Sequence, residues 1–86
     1  MLSQIPFQSD LRLEVALART GPVSLDVFDP AGRRVRTLAH GPMPAGRNLV
    51  RWDGKLESGG HAPSGIYFIK LRTDDGEQMR RVVLVR

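Results

Sequence analysis

Apolar and polar residues alternate along most of the chain. Leu11, Leu13, Val15 and Leu17 are interleaved with Arg12, Glu14 and Ala16, the period of two that a half-buried β-strand requires. Val23, Leu25 and Val27 repeat the pattern against Ser24, Asp26 and Phe28. Asp29-Pro30-Ala31-Gly32 then predicts a hairpin turn, in which Asp29 accepts hydrogen bonds, Pro30 pre-sets φ and Gly32 takes a positive φ. Arg33 to Leu38 is the expected returning strand, with Val35 and either Thr37 or Leu38 inward according to where a bulge falls. Pro42, Pro44, Gly41 and Gly46 predict a loop over His40 to Gly46. Arg47 to Trp52 is extended again, and Asp53-Gly54 marks a turn. Lys55 to Gly65, with Gly59, Gly60 and Pro63, forms the longest predicted loop. Ile66 to Leu71 is strongly β-prone, Thr73-Asp74-Asp75-Gly76 reads as a second hairpin turn, and Gln78 to Val85 closes the chain. In that last strand Val82 and Leu84 share one face, Val83 and Val85 the other.

These segments make six strands, and a seventh if Pro6 to Gln8 adds an edge, while no stretch keeps a helical period. Short strands with a turn signal every 8 to 12 residues or so predict an all-β fold. The expected form is an immunoglobulin-like, fibronectin type III-like antiparallel β-sandwich of about seven strands. Residues 1–9 read as a leading segment or linker and residues 10–86 as the domain. The expected core is Leu13, Val15, Leu25, Val27, Trp52, Tyr67, Ile69 and Val83.

Composition narrows the function. With 86 residues, 41% of them apolar and none cysteine, the chain is one small domain that must fold without disulfides. Its 13 basic and 9 acidic residues leave a net charge of +4, but they are interleaved along the chain, which predicts a mixed solvated surface and no nucleic-acid partner. No run approaches the ~18 apolar residues of a membrane-spanning helix, and Met1 to Asp10 lacks the pattern of a signal peptide, so any export signal is expected elsewhere.

No constellation with catalytic or ligating chemistry emerges. His40 and His61 lie in separate predicted loops, and Asp26, Asp29, Asp53, Asp74 and Asp75 lack the spacing of a calcium loop, so no metal is expected. Ser58-Gly59-Gly60-His61 and Ser64-Gly65 lack the nucleophile elbow, and the glycines from Gly54 to Gly65 precede no helix that would cradle a phosphate. Trp52 and Tyr67 are expected in the core, not on a ligand platform. The sequence therefore predicts no enzyme and no cofactor.

The order of the motifs is informative in another way. Val27-Phe28-Asp29-Pro30-Ala31-Gly32-Arg33-Arg34-Val35, Pro44-Ala45-Gly46-Arg47, Trp52-Asp53-Gly54-Lys55, Ser64-Gly65-Ile66-Tyr67-Phe68 and the basic–apolar tail Arg80 to Arg86 together resemble the FlgD-type immunoglobulin-like domain. That group is known from flagellar hook-capping proteins and, more widely, looks like the type IX secretion sorting domains of secreted bacterial proteins. The resemblance matches Asp29 and Gly32 to the family's hairpin, Trp52, Asp53 and Gly54 to its central turn, and Gly65 and Tyr67 to its late strand. Pro6-Phe7 matches part of an Asn-Pro-Phe motif, in which Ile5 replaces the asparagine.

What the resemblance implies is a non-catalytic C-terminal sorting or anchoring domain of a larger secreted protein, placed outside the cell or on its surface. Arg80, Arg81, Val83, Val85 and Arg86 would then be presented at a sheet edge to secretion machinery or cell-surface proteins. One alternative is a subunit that assembles into a fibre or shell, a homo-oligomer joined through strand edges. A second is a scaffold domain of the flagellar hook cap.

Overall fold

The computed structural model describes residues 4–7 and 10–85, the former by their backbone. The strands are β1 (Gln4–Phe7), β2 (Leu11–Leu17), β3 (Gly21–Phe28), β4 (Arg34–Met43), β5 (Gly46–Trp52), β6 (Gly65–Thr73) and β7 (Gly76–Leu84). Among the described residues there is no helix. A five-stranded sheet in the order β1-β7-β6-β3-β4 faces a two-stranded sheet, β2-β5. All pairings are antiparallel except that of β1 with β7, which runs parallel. The expected edge at Pro6 to Gln8 begins earlier, at Gln4, and Gln8 lies outside the described residues.

Alternation decides what is buried. Leu11, Leu13 and Val15 of β2 face Leu25 and Val27 of β3, Tyr67 and Ile69 of β6, and Val82 and Leu84 of β7, and Val23 of β3 is also buried. Trp52, at the end of β5, is fully buried, and its ring meets that of Tyr67 edge-on at 5.3 Å. Seven of the eight expected core residues lie in this cluster. Val83 does not. It is half-buried on the outer face, because Val82 and Leu84 occupy the inward positions of β7 and a strand cannot turn neighbouring side chains to the same side.

β4 departs most from expectation. It continues through Met43, across the stretch predicted to be a loop. Pro42 lies opposite Pro22, and the outward N–H positions of both are unclaimed: β4 is the sheet edge, and β6 pairs β3 only from Ser24 to Phe28. Register shifts after Leu25 and after Val27 leave Val35 and Leu38 of β4 as extra residues, and both pack against the core. Thr37 is thereby turned outward.

The first hairpin turn forms as its chemistry dictates. Asp29 Oδ1 accepts the N–H groups of Ala31 and Arg33, the Gly32 N–H donates to the Asp29 carbonyl at 3.0 Å, and Gly32 has φ 87°.

Candidate functional site

The residues from Trp52 to Tyr67 build a structural lock. The indole Nε1 of Trp52 donates to the Lys55 carbonyl at 2.9 Å, Asp53 Oδ1 accepts the Lys55 N–H at 3.0 Å, and the Ala62 N–H donates to the Gly54 carbonyl at 2.9 Å. Gly54 is buried with φ 77°, which a residue with a Cβ adopts only under strain. At the far end the Tyr67 hydroxyl donates to the Pro63 carbonyl at 2.6 Å, and Gly65 begins β6. The long loop is thus tied at both ends to the two largest rings of the core.

The same loop covers part of a sheet edge. The Glu57 N–H donates to the Val35 carbonyl at 2.8 Å, and the Glu57 carboxylate accepts the Thr37 N–H at 3.0 Å. Arg36 adds bonds to Asp53 and to the Lys55 carbonyl. Backbone groups of β4 that would otherwise invite another strand are occupied.

Outward-facing residues of the large sheet form the broadest surface of interest. Across it, Arg34 lies opposite Phe28, Phe28 opposite Phe68, and Phe68 opposite Arg81. Ile66 lies opposite Val83 on one side of this row, and Lys70 opposite Met79 on the other. The Lys70 ammonium stands 5.4 Å from the centre of the Phe28 ring, within cation–π range. A shallow groove of about 450 Å³ is lined by Phe28, Asp26, Arg34, Lys70 and Arg72, with Ser24 and Gly32. Asp26, nearly buried, accepts hydrogen bonds from the Ser24 and Thr37 hydroxyls, both at 2.9 Å, while Glu77 pairs with Lys70 and Arg72. With both acids engaged, the surface presents apolar side chains rimmed by cations, the composition favoured where proteins meet.

The closing strand is placed differently from the expectation. Arg81 and Val83 point to the outer face, Val85 is exposed just beyond the strand, and Arg80 points to the opposite side; Arg86 lies outside the described residues. Over Arg81–Leu84, β7 pairs with β6 on one flank and β1 on the other, so this half is interior to the sheet and presents no free edge. The pairing of Phe28 with Phe68 escaped the sequence because the two strands are distant in the chain. Their outward parity, next to Val27, Tyr67 and Ile69, was the available signal.

Among the described residues, no group of three His, Cys, Asp or Glu side chains could hold a metal ion. His40 lies exposed on β4, and His61 forms an isolated bridge with Lys55. Asp29 and Asp53 serve turns, and Asp75 pairs with Arg19 at 3.3 Å.

Residues 3–77 match the FlgD Ig-like domain family. The chain belongs to that family. It is 39% identical over 54 residues to the basal-body rod modification protein FlgD of Salmonella typhimurium and 35% identical over 54 residues to that of Escherichia coli K12. Each match covers 63% of this chain and 23% of the relative, so the chain corresponds to a minor part of these proteins. These relatives are flagellar, and the sorting-domain side of the expected resemblance is not shown by them.

Proposed function

We propose that the chain is the immunoglobulin-like module of a flagellar rod-and-hook scaffold protein, and that it acts by presenting protein-contact surfaces. The 39% identity to a basal-body rod modification protein carries this reading. The outer face of the large sheet supports it, because Phe28, Phe68, Val83 and Met79 flanked by Arg34, Lys70 and Arg81 suit a neighbouring protein subunit. On this reading the partners are other subunits of the same assembly and the site of action is the cell surface. Export sorting, in which a receptor reads Arg80 to Arg86 along a sheet edge, has less support, since Arg81–Leu84 is flanked by strands on both sides.

The test exchanges this chain for the matching segment of the Salmonella relative in a strain lacking that protein. Swimming should be restored by the exchange. It should be reduced by Phe68→Glu, which changes an outer-face side chain and leaves the core intact. A chimera that folds and accumulates at the level of the native protein yet restores no motility would defeat the reading.

A further inference from the structure

Two aromatic side chains stay out of the core. Trp52 and Tyr67 are buried within it, whereas Phe28 and Phe68 are half-buried on the outer face of the large sheet and belong neither to the core cluster nor to the residues packed against it. Rings placed in this way contribute little to folding and offer apolar area to a partner.

The groove of about 450 Å³ beside Phe28 follows from side-chain length. β3 places the short Ser24 and Asp26 opposite the long Arg72 and Lys70 of β6, and at the Phe28 end Gly32 and Arg34 complete the lining. Its charges are unequal. Asp26 has one hydroxyl on each carboxylate oxygen, from Ser24 and Thr37, and a single carboxylate, Glu77, serves both Lys70 and Arg72. The acids beside the neighbouring arginines are also engaged: Asp29 holds Arg33 at 2.8 Å and Asp53 meets Arg36 at 3.4 Å. Arg34 is exposed, and its side chain has no ion pair or hydrogen bond among the described residues. One uncompensated guanidinium therefore stands next to two outward rings.

We propose that Arg34, Phe28 and Phe68 dock an extended acidic segment of a neighbouring protein subunit, with one carboxylate on the Arg34 guanidinium and, two residues along, an apolar side chain on the two rings. The inference rests on the reading of the outer face as a subunit contact and adds the chemistry of what docks there. Charge selects the carboxylate, which a guanidinium fork meets through two parallel N–H bonds. Spacing selects the interval. Arg34, Phe28 and Phe68 lie opposite one another on three adjacent strands, so at ~4.8 Å per strand the middle of the ring pair is about 7 Å from Arg34 across the sheet, the advance of two residues in an extended chain. A second copy of this chain is a poor occupant, because its outer face carries the same cations and its net charge is +4. A nucleic-acid strand fits less well than an acidic segment, since a run of phosphates calls for several uncompensated cations and Glu77 already serves Lys70 and Arg72.

The experiment titrates the isotope-labelled full chain with a synthetic seven-residue peptide, otherwise threonine, with glutamate at its third position and leucine at its fifth. Saturable shifts are expected at Phe28, Arg34 and Phe68, with β2 and β5 unmoved. Arg34→Gln, a change at an exposed side chain, should weaken this peptide about fivefold and leave its glutamine counterpart unchanged. Serine in place of the leucine should weaken it about fivefold or more, and added salt should weaken the glutamate peptide but not the glutamine one. No saturation at millimolar peptide, equal binding of the glutamate and glutamine peptides, or shifts confined to β2 and β5 would overturn the proposal. So would an oligothymidine strand that shifts the same residues at lower concentration, which would make a nucleic acid the occupant, or a concentration-dependent dimer through Phe28 and Phe68, which would make it a second copy. The two readings fail separately: swimming of the exchanged protein without peptide binding would overturn the acidic segment alone, and peptide binding without swimming would uphold the segment and defeat the flagellar reading.

Discussion

Replacing Trp52 with alanine probes the packing at its centre. The indole is fully buried and touches Tyr67 edge-on. A tryptophan side chain buries roughly 150–250 Å², which at about 25 cal/mol/Å² corresponds to about 4–6 kcal/mol. Aromatic-to-alanine changes in cores cost about 3–5 kcal/mol, because the surroundings relax only in part. Loss of the indole N–H does not orphan its acceptor, since Arg36 also donates to the Lys55 carbonyl at 3.2 Å. About 3–5 kcal/mol is therefore expected, much of what a domain of this size possesses. Because the substitution removes the chain's single tryptophan, unfolding in urea is best followed by far-ultraviolet circular dichroism. With a slope of about 1 kcal/mol per molar urea, the midpoint should fall by about 3–5 M, or the chain should be unfolded without urea. Trp52→Phe keeps a ring against Tyr67 and should cost about 1–2 kcal/mol. A Trp52→Ala protein within about 1 kcal/mol of the parent would refute the reasoning.

The two neighbouring valines of β7 should behave differently: Val82→Ala is expected to cost about 2 kcal/mol in chemical unfolding and Val83→Ala less than about 1, and equal losses would contradict the assigned faces. Gly32 has φ 87° and no atom within 4 Å of where a Cβ would stand, so Gly32→Val should lose more than about 1 kcal/mol from backbone strain alone, while Ala31→Ser should be within about 0.5; the comparison of melting curves decides. The Arg33 backbone N–H, followed by the Arg33 guanidinium and the Ala31 N–H, holds the Asp29 carboxyl below its ordinary 3.8. Its stabilisation is thus fully present above that value and disappears as pH falls through the lowered one, so Asp29→Asn should flatten the fall of melting temperature below about pH 4. Parallel acid limbs for the two proteins would show that the turn carboxylate is not linked to folding.

Much of the fold was legible because local chemistry and burial agree. The alternation of Leu11 to Leu17 and of Val23 to Val27 is repeated in the burial of β2 and β3. Asp29 and Gly32 specify their turn through bonds within five residues, which no distant contact needs to support. β7 was less legible, since Val82, Val83, Leu84 and Val85 are all apolar and either parity fits the sequence. Only Tyr67 opposite Val82 and the packing of both against the smaller sheet select Val82 and Leu84 for the interior. The expected loop from His40 to Gly46 failed for a related reason. Proline and glycine weaken a strand in general, but an edge position removes the penalty, and edge or centre is a property of the assembled sheet.

The candidate surfaces divide in the same manner. The sequence by itself determined the strands' alternation, the turn types, the absence of spaced metal or nucleophile motifs, and the series of separated motifs that mark the family, because each depends on residues close together in the chain. Tertiary structure alone decided that Phe28 lies opposite Phe68, that Glu57 covers the edge of β4, that the Arg81 half of β7 is enclosed, and that Arg80 lines a groove together with Leu13, Val15, Leu25 and Ile69. Those outcomes depend on which strands become neighbours and where each ends, and a period of two is indifferent to both.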